Sequence, residues 1–549
     1  FPEKIIADDL GKVQISLGVD QEKHVLTGTV VDSSGEPVIG ANVFEKGTTN
    51  GTITDMEGRF LLTMLKPDAT LVITYVGFAD EEIKVGNRTD IFVTMKEDSE
   101  ALDEVVVVGY MSQKKTSLTG AIATTKVDEQ MKTIPTTNAS NILIGKLAGV
   151  HIGTNDGIPG STPGLSIRTG SSWNAQNVMY VIDGVIRGGG DFNSLSPNEI
   201  ESVTVLKDAA SAAVYGSRSA GGVVVVTTKR GDSGKPKFNY SYGYSVDTRT
   251  KNVDLTSAVQ AGEMYRRING DSDPAGWAWS QDEIDYFRNV NGGWGYDQLD
   301  EVWRNPTTQT HNLSVSGGSE KIRYFGAASY VKQEGFLEPL TYDKFNIRMN
   351  VTANITKDLE VFAGLALYNN QKSDVIFEGP GNLYRKLRVW QPDQPVYSDN
   401  GQFIDYGWLG NVGAWVTGAG GYQKHDYLKP QMTVKATYKL PFLEGLSASL
   451  HYSKSWAHDL RKGFYHGYDM LVMPKSGTNG RIMSTRDEDA IGIKHSAWVS
   501  KDYIEREVDW SGDQQLNFQL MYDHTFNEKH HVAGTFVTEW AESNGTGLT

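Results

Sequence analysis

The stretch FNIRMNVTANI, residues 345–355, alternates apolar and polar side chains at every position. Successive side chains of a β-strand point to opposite faces, so this stretch predicts a strand with one apolar and one polar face. The apolar face carries Phe345, Ile347, Met349, Val351, Ala353 and Ile355, and the polar face carries Asn346, Arg348, Asn350, Thr352 and Asn354. FNYSYGYSV (238–246) and QLNFQLMYD (515–523) repeat the pattern, with Met521 as the one outlier.

Nine such strands are predicted after residue 236, and the connections between them alternate in length. The strands lie near 237–246, 309–317, 320–332, 344–355, 359–369, 429–440, 445–456, 513–523 and 531–540. Short connections alternate with a moderate one and with long loops at 247–308, 370–428 and 457–512. Antiparallel strands place alternate connections at opposite ends, so one end has tight turns and the other large loops. A soluble sandwich would also alternate, but this distribution of loops is typical of outer-membrane β-barrels.

The region before these strands predicts two further domains. Residues 24–98 contain six to seven short strand patterns separated by Gly, Pro and Asp turns, which indicates a small β-sandwich. Residues 113–231 mix strand patterns with short helical ones, and end on a valine quartet, Val223 to Val226, which predicts a buried core strand. Residues 1–23 form an N-terminal extension, and residues 99–112 form a linker.

Composition excludes several classes of function. The chain of 549 residues has no cysteine, so it can form neither disulfides nor Cys-ligated zinc sites. Its net charge of −15 disfavours nucleic acid as a partner. It has no apolar run of about 18 residues that would predict a transmembrane helix.

Four segments, in this order, carry a resemblance to a known family: LDEVVVVGY (102–110), YVIDGV (180–185), the long segment from Asn198 to Gly231, and HNLSVSGGSEKIRYF (311–325). The chain resembles the SusC/RagA-like TonB-dependent outer-membrane transporters over nearly its whole length. The resemblance implies a mainly β protein with three parts. These are a transthyretin-like (carboxypeptidase-regulatory-like) β-sandwich, an α/β plug domain at 113–231, and a transmembrane β-barrel of about 22 strands. Residues 232–549 supply roughly the first nine strands. Nine strands cannot close around a domain, so we expect the chain to be the N-terminal part of a longer polypeptide.

The linker contains the predicted coupling element. An arbitrary run of four valines is more often an ordinary core strand, but this run lies between two domains and has polar neighbours. An extended β-branched strand on a flexible tether is suited to pairing with the sheet edge of another protein. The resemblance implies that this stretch is the TonB box, which a periplasmic motor protein grips. Its residues are Glu104, Val105, Val106, Val107, Val108, Gly109 and Tyr110.

Ligand contacts are predicted in two segments. The first long loop carries Trp277, Trp279, Trp294 and Trp303 among Asn, Asp and Gln residues, a composition that suits sugar stacking or peptide capture. The alternative is that these rings pack the loop on itself or on a partner. In the plug, a polar stretch between two strands could face a ligand through Arg168, Ser171, Ser172, Trp173 and Asn174.

The functional expectation is active import into the periplasm, with the N-terminal module on the periplasmic side of the outer membrane of a Gram-negative, Bacteroidetes-like cell. The resemblance implies a TonB-type motor, a SusD-like surface lipoprotein lid, outer-membrane lipid, and an oligosaccharide or oligopeptide ligand. The alternative is a surface adhesin that uses the barrel as an anchor, which would need no motor handle. The first domain also suggests a metallopeptidase, but no H-E-x-x-H or H-x-x-E motif is present, so we expect neither enzyme activity nor a metal or cofactor.

Overall fold

The computed structural model describes most of the chain. The residues outside the description are 1–4, 8–12, 16–23, 34, 49, 65–68, 76–77, 79, 87, 97–104, 109–110, 115–121, 128–135, 154–156, 168–176, 251–254, 271–277, 377–378, 390, 408–409, 497–501, 527–529 and 546–549. The chain divides into two compact units, one ending near Val106 and the other containing nearly everything from Gly120 onward.

The first unit contains a sandwich of two sheets. One sheet has the order β6-β3-β9 and the other the order β5-β4-β7-β8. Leu26, Leu71 and Ile73 are fully buried in the core of the sandwich. The strands are β3 (His24–Val31), β4 (Asn42–Glu45), β5 (Gly51–Ile53), β6 (Arg59–Met64), β7 (Thr70–Thr74), β8 (Glu81–Lys84) and β9 (Asp90–Thr94), and they follow a separate hairpin of β1 (Ile5–Ala7) and β2 (Val13–Ile15).

The linker valines form a strand of their own. Strand β10 (Val105–Val108) pairs with β11 (Met111–Lys114) in a two-stranded sheet. In the described part of the chain, β10 belongs neither to the sheets of the sandwich nor to the sheet of the plug. Glu104, Gly109 and Tyr110, the other predicted residues of the TonB box, lie outside the described residues.

The plug is built on a five-stranded sheet of order β12-β17-β18-β15-β16. The second valine quartet forms most of β18, a central strand, and its four side chains are at most 3% exposed, as predicted. One of the short helical patterns, which begins at Asn141, forms only the 3-10 turn Ala139–Leu143, because Gly145 and Gly149 at φ +72° prevent a longer helix. The other elements are β12 (Ile122–Lys126), β13 (His151–Ile152), β14 (Leu165–Ser166), β15 (Met179–Ile182), β16 (Val185–Arg187), β17 (Ile200–Leu206), β18 (Val223–Thr228), the helices Gly189–Ser194 and Ala209–Ala212, and the 3-10 turns Pro197–Glu199 and Ala213–Ser219.

The remainder of the chain builds one antiparallel sheet of nine strands, as predicted. Its order is β19-β20-β21-β22-β23-β24-β25-β30-β31, and within the described residues β19 and β31 are its two edges. The strands are β19 (Gly234–Val246), β20 (Thr307–Gly318), β21 (Ile322–Glu334), β22 (Thr341–Asn354), β23 (Leu359–Val375), β24 (Gly421–Lys439), β25 (Leu446–Tyr465), β30 (Tyr503–Phe526) and β31 (His530–Gly545).

Several strands are longer than predicted, and most of the extra residues lie at the long-loop end. Strand β24 begins at Gly421, β25 ends at Tyr465 and β30 begins at Tyr503. The long loops are correspondingly shorter than predicted and span 247–306, 376–420 and 466–502. Polar or charged residues lie on both faces of the extensions, so apolar and polar residues alternate less regularly there than in the predicted strands.

The long loops are themselves structured. Ser257 and Gln260 form a reciprocal cap at the start of the helix Ala258–Asn269, and Gly270 at φ +73° ends that helix. The first loop also contains the helices Gln281–Phe287 and Gln298–Val302 and the turn Asn291–Gly293, and the second contains the helices Pro380–Val389 and Val412–Val416. The third contains β26 (Asp469–Val472) paired with β29 (Gly492–His495), β27 (Lys475–Ser476) paired with β28 (Ile482–Met483), and the turn Asp487–Asp489.

Candidate ligand cavity

Strand β22 holds the plug through its polar face. Lys344 donates from Nζ to the backbone oxygens of Thr137 and Asn193 at 2.8 and 3.0 Å. Asn350 donates to Thr228 Oγ1 and Lys229 O at 3.0 and 2.8 Å. On the opposite face of β22, the side chains are exposed, and Met349 is 55% exposed. The alternation read in residues 345–355 therefore separates a plug-facing side from an outward, apolar side.

A buried ion pair lies at the centre of this contact. Arg348 of β22 donates from Nε to Glu199 Oε2 of the plug at 2.8 Å, and its Nη1 lies 3.8 Å from Asp183 Oδ2. Asp183 in turn accepts hydrogen bonds from Thr228 N and Oγ1 at 2.9 and 2.6 Å. A guanidinium in this position neutralises two plug carboxylates, so removing it would leave buried charge without a partner.

A second ion pair joins the plug to β24. The carboxylate of Asp191, which is 8% exposed, accepts from Lys429 Nζ at 2.8 Å and from Gln431 Nε2 at 2.9 Å. It also accepts from the backbone N–H of Gly188, at 3.2 Å, and so caps the helix Gly189–Ser194. Asp191 thus both starts a plug helix and ties it to the sheet.

A cavity of about 380 Å³ opens beside Asp191, between the plug and the sheet. Its sheet wall includes Tyr342, Lys372 and His425, each within a few residues of a strand end that joins the moderate or the second long loop. The cavity therefore lies on the long-loop side of the plug. Asn370 also lines it, and its buried Oδ1 has no hydrogen-bond partner among the described residues. A ligand donor could satisfy that oxygen.

A larger recess of about 710 Å³ continues along the sheet and shares Lys372 and His425 with the cavity. Ion pairs cover its wall: Lys372 with Asp374 at 3.1 Å and Arg461 with Glu507 at 3.7 Å. Together, the two recesses form a path from the loops to the plug that is lined by polar and charged groups. They can bind a polar ligand by hydrogen bonds and charge.

The aromatic residues predicted as ligand contacts fall into different environments. Trp279 is 2% exposed and packs against Phe287, with ring centroids 5.4 Å apart, so protein contacts occupy its ring, as the packing alternative expected. Trp303 stacks on Phe336 at 5.1 Å and lies beneath the guanidinium of Arg249. Trp294 is 58% exposed. Trp277, Arg168, Ser171, Ser172, Trp173 and Asn174 lie outside the described residues.

Sequence reasoning missed the residues around the cavity, notably Asp191, Lys372 and Lys429. Lys372 lies in a strand segment where both faces are polar, and period-two hydrophobicity does not mark such a position. Lys429 lies in an alternating strand, but alternation does not show which polar residue of a strand contacts the plug. Asp191 follows three glycines in a plug turn. Asp191 could have been found by its position as the third residue of a short helix, where a carboxylate commonly caps the start of the helix.

Among the described residues, no helix is long and apolar enough to cross a membrane, and no group of three or more His, Asp or Glu side chains could hold a metal ion. An α/β domain held on the polar face of an antiparallel sheet, whose other face is apolar, is the arrangement of a plugged outer-membrane barrel. This is the architecture of the TonB-dependent receptors. Two family models agree: residues 26–107 match the CarboxypepD_reg-like domain, and residues 114–223 match the TonB-dependent Receptor Plug Domain.

Curated relatives narrow the class to a family. The chain is 33% identical over 408 residues to the TonB-dependent receptor SusC of Bacteroides thetaiotaomicron, covering 73% of this chain and 39% of that protein. It is 32% identical over 381 residues to the TonB-dependent receptor P39 of Formosa agariphila, covering 69% and 35%. The chain belongs to the SusC-like TonB-dependent receptors, and it spans less than two fifths of the length of these two relatives.

Solved structures agree on the fold. The RagAB peptide importer in its open-open state superposes with a TM-score of 0.64 at 20% identity, covering 80% of this chain and 49% of that chain. The closed-closed state gives a TM-score of 0.61, also at 20% identity, over 78% and 48%. These matches support a mainly β architecture that comprises the plug and part of the barrel.

Proposed function

We propose that this protein imports oligosaccharides or oligopeptides across the outer membrane, as the barrel and plug component of a complex with a SusD-like surface lipoprotein. The main support for this proposal is the cavity between the plug and the sheet on the long-loop side. A ligand bound there contacts Asp191 and Lys429, the residues that tie the plug to β24. Ligand binding and plug anchorage therefore use the same groups.

The proposed mechanism requires that force reach the plug from the periplasm. Strand β10 lies in the linker just before the plug, and a TonB-type motor protein would grip it by pairing with its backbone. The first plug strand, β12, pairs with β17 alone among the described strands. A pull on the linker acts first on this edge strand, where the fewest hydrogen bonds resist it. Release of bound ligand then follows from displacement of the plug.

The partners follow from the same arrangement. A lipoprotein lid over the long loops would enclose the ligand before release, with outer-membrane lipid around the apolar face of the sheet. We place the boundaries of the domains at 24–98, 99–112, 113–231 and 232–549. The N-terminal sandwich would lie in the periplasm.

Deletion of the predicted TonB box, residues 104–110, tests this proposal. Deleting residues 104–110 from the full-length protein should abolish uptake of its nutrient, while surface ligand binding and heat stability stay unchanged, because the deletion removes no core strand of either neighbouring domain. The nutrient is found first by growing a deletion strain on defined oligosaccharides and oligopeptides. Val107→Pro removes one backbone donor from β10 and should have the same effect as the deletion.

Val107→Thr is the matched control, because it keeps a β-branched side chain and the backbone N–H. It should transport at the normal rate. Normal uptake by the deletion variant would show that β10 is not the coupling strand. A strain lacking the whole protein that grows normally on every oligosaccharide and oligopeptide would favour a surface adhesin. A deletion variant that fails to fold would show that the valines belong to a core.

A further inference from the structure

A cavity of about 760 Å³ lies between the first and second long loops. It shares no lining residue with the plug-side cavity. Its walls come from three loop helices, Ala258–Asn269, Gln298–Val302 and Pro380–Val389. We refer to it as the loop groove. It is open to the surface, so a molecule could bind there without entering the barrel.

The loop groove is held in shape by contacts between the two loops. Tyr296 N donates to Pro392 O at 2.8 Å, and Gln298 Nε2 donates to Gln394 O at 2.6 Å. Val396 N donates to Glu301 Oε2 at 3.0 Å. Gly295 permits the approach: its φ is +75°, and a Cβ there would meet Pro392 O at 2.3 Å. A site that is rigid before binding loses less conformational entropy on binding.

One exposed aromatic ring and several acceptors line the loop groove. Trp294 is 58% exposed, so its ring can contact a ligand in the groove. The side chains of Asp297 and Asp300 are 40% and 52% exposed. Gln298 is 3% exposed, and its Oε1 has no hydrogen-bond partner within the described residues. A ligand for this surface needs a flat apolar face and several hydrogen-bond donors.

We propose that the loop groove binds a neutral oligosaccharide, with a sugar ring stacked on Trp294 and sugar hydroxyls donating to Asp297, Asp300 and Gln298. A pyranose ring has an apolar face of C–H groups and a rim of hydroxyl donors, which match these two requirements. The site would capture the ligand at the cell surface. This location rests on the proposed function, which places the long loops outside the cell. It selects the oligosaccharide from the two substrate classes proposed above.

The lining also disfavours the competing ligands. Three carboxylates, Asp297, Asp300 and Glu301, line the groove with one cation, Arg388. Arg249, which pairs with Asp300 at 2.6 Å, adds a second cation beside it, so the groove has no excess positive charge to attract an anionic sugar. Burial raises the pKa of Glu301, so a further negative charge beside this carboxylate is unfavourable. A peptide that binds by adding a strand to a sheet needs a free strand edge, whereas the three elements named above are helices.

The experiment measures binding to the full-length protein purified in detergent, without a motor protein. The probes are maltohexaose, cellohexaose and xylohexaose as neutral sugars, hexagalacturonate as an anionic sugar, and hexaalanine as a peptide. At least one neutral sugar should bind, and Trp294→Ala should weaken its binding about tenfold or more. Trp294→Phe should bind with intermediate affinity. Tyr286→Ala is the matched control, because Tyr286 is 41% exposed on the same loop but does not line the groove.

The outcomes separate this inference from the proposed function. Loss of neutral-sugar binding in Trp294→Ala but not in Tyr286→Ala supports the loop groove, whatever the uptake assays show. The inference is overturned if no neutral sugar binds, if Trp294→Ala binds as well as the unaltered protein, or if hexaalanine or hexagalacturonate binds more tightly through Trp294. Val107→Pro should bind sugar normally and yet fail to transport it. Normal uptake by Val107→Pro would count against the proposed function alone.

Discussion

Arg348 and Glu199 connect a barrel strand to the plug through a hydrogen bond of 2.8 Å between Nε and Oε2. Their side chains are 6% and 2% exposed, so water screens neither charge. The guanidinium also faces Asp183, which places one cation between two plug carboxylates. The pair is therefore a coupling point between two parts of the protein that must separate during the proposed transport.

We expect Arg348→Met to destabilise the seated plug by about 3–5 kcal/mol, because two buried carboxylates lose their counter-charge. The measurement is the free energy of plug release, which is monitored through the rate of protease cleavage within residues 113–231. The double variant Arg348→Met/Glu199→Gln should lose less than the sum of the single variants. Arg323→Met is the control: the Arg323–Glu360 pair is 35% and 39% exposed, so its loss should cost less than about 1 kcal/mol. Equal effects of the two Arg variants would contradict this prediction.

Single-cysteine labelling can test the plug-side cavity, because the chain has no cysteine of its own. Lys372→Cys places a thiol in the cavity wall, whereas Gln371→Cys places one on the opposite, exposed face of β23. A bulky maleimide on the first should block ligand uptake and a maleimide on the second should not. The measurement is uptake before and after complete labelling. Unimpaired uptake by labelled Lys372→Cys would remove the cavity from the ligand's path.

Arg481 should hold the three long loops together. Its Nη1 donates to Asp393 Oδ2 at 3.2 Å, and its guanidinium lies 5.6 Å from the ring centroid of Trp279. Burial raises the pKa of Asp393, and the charge of Arg481 opposes that shift. Arg481→Ala should speed protease cleavage within 466–502 on intact cells by about tenfold or more, corresponding to at least 1.4 kcal/mol of lost loop stability.

Arg486→Ala is the control for the loop, because Arg486 and its ion-pair partner Glu488 are both about two-thirds exposed. It should leave the cleavage rate unchanged. Cleavage of the N-terminal sandwich on intact cells, with the long loops spared, would reverse the orientation proposed for the protein.

Met349→Lys tests the outward face of β22. Met349 is 55% exposed and lies near the middle of its strand, so a lysine there would face the hydrocarbon and cost about 2–4 kcal/mol. Ile355→Lys is the matched control: Ile355 is 60% exposed but lies in the short turn after β22, where the cost falls to about 0–1 kcal/mol. The measurement is the free energy of unfolding in lipid bilayers. Equal costs would mean that Met349 does not face lipid.

The sequence predicted the parts of the fold that depend on periodicity. All nine strands were found because residues such as Ile347 and Arg348 alternate between an outward, apolar side and a plug-facing side. Val223 to Val226 were predicted as a core strand because an apolar run bounded by glycines has few other uses. In these places one local pattern is sufficient.

The cavity could not be predicted in the same way. Asp191 and Lys429 are 238 residues apart in the chain, and only the seating of the plug on β24 brings them within 2.8 Å. The loop groove likewise joins Trp294 to Pro392 through contacts between two loops. Burial of Trp279 and exposure of Trp294 depend on how the loop helices pack, and this cannot be read from two tryptophans in similar polar surroundings.

The two-sided environment of β22 has a consequence for how this strand tolerates mutation. From Lys344 to Asn350, odd positions would face lipid and even positions face the plug. Neighbouring residues of the strand therefore lie in opposite environments, one apolar and one polar. A saturation scan of the strand should therefore show two interleaved profiles. One would accept apolar residues of almost any shape and reject charge. The other would accept few replacements, since Lys344, Asn346, Arg348 and Asn350 each have particular hydrogen-bond partners. Inserting a single residue would move every following side chain to the other face, so polar residues would face lipid and apolar residues would face the plug.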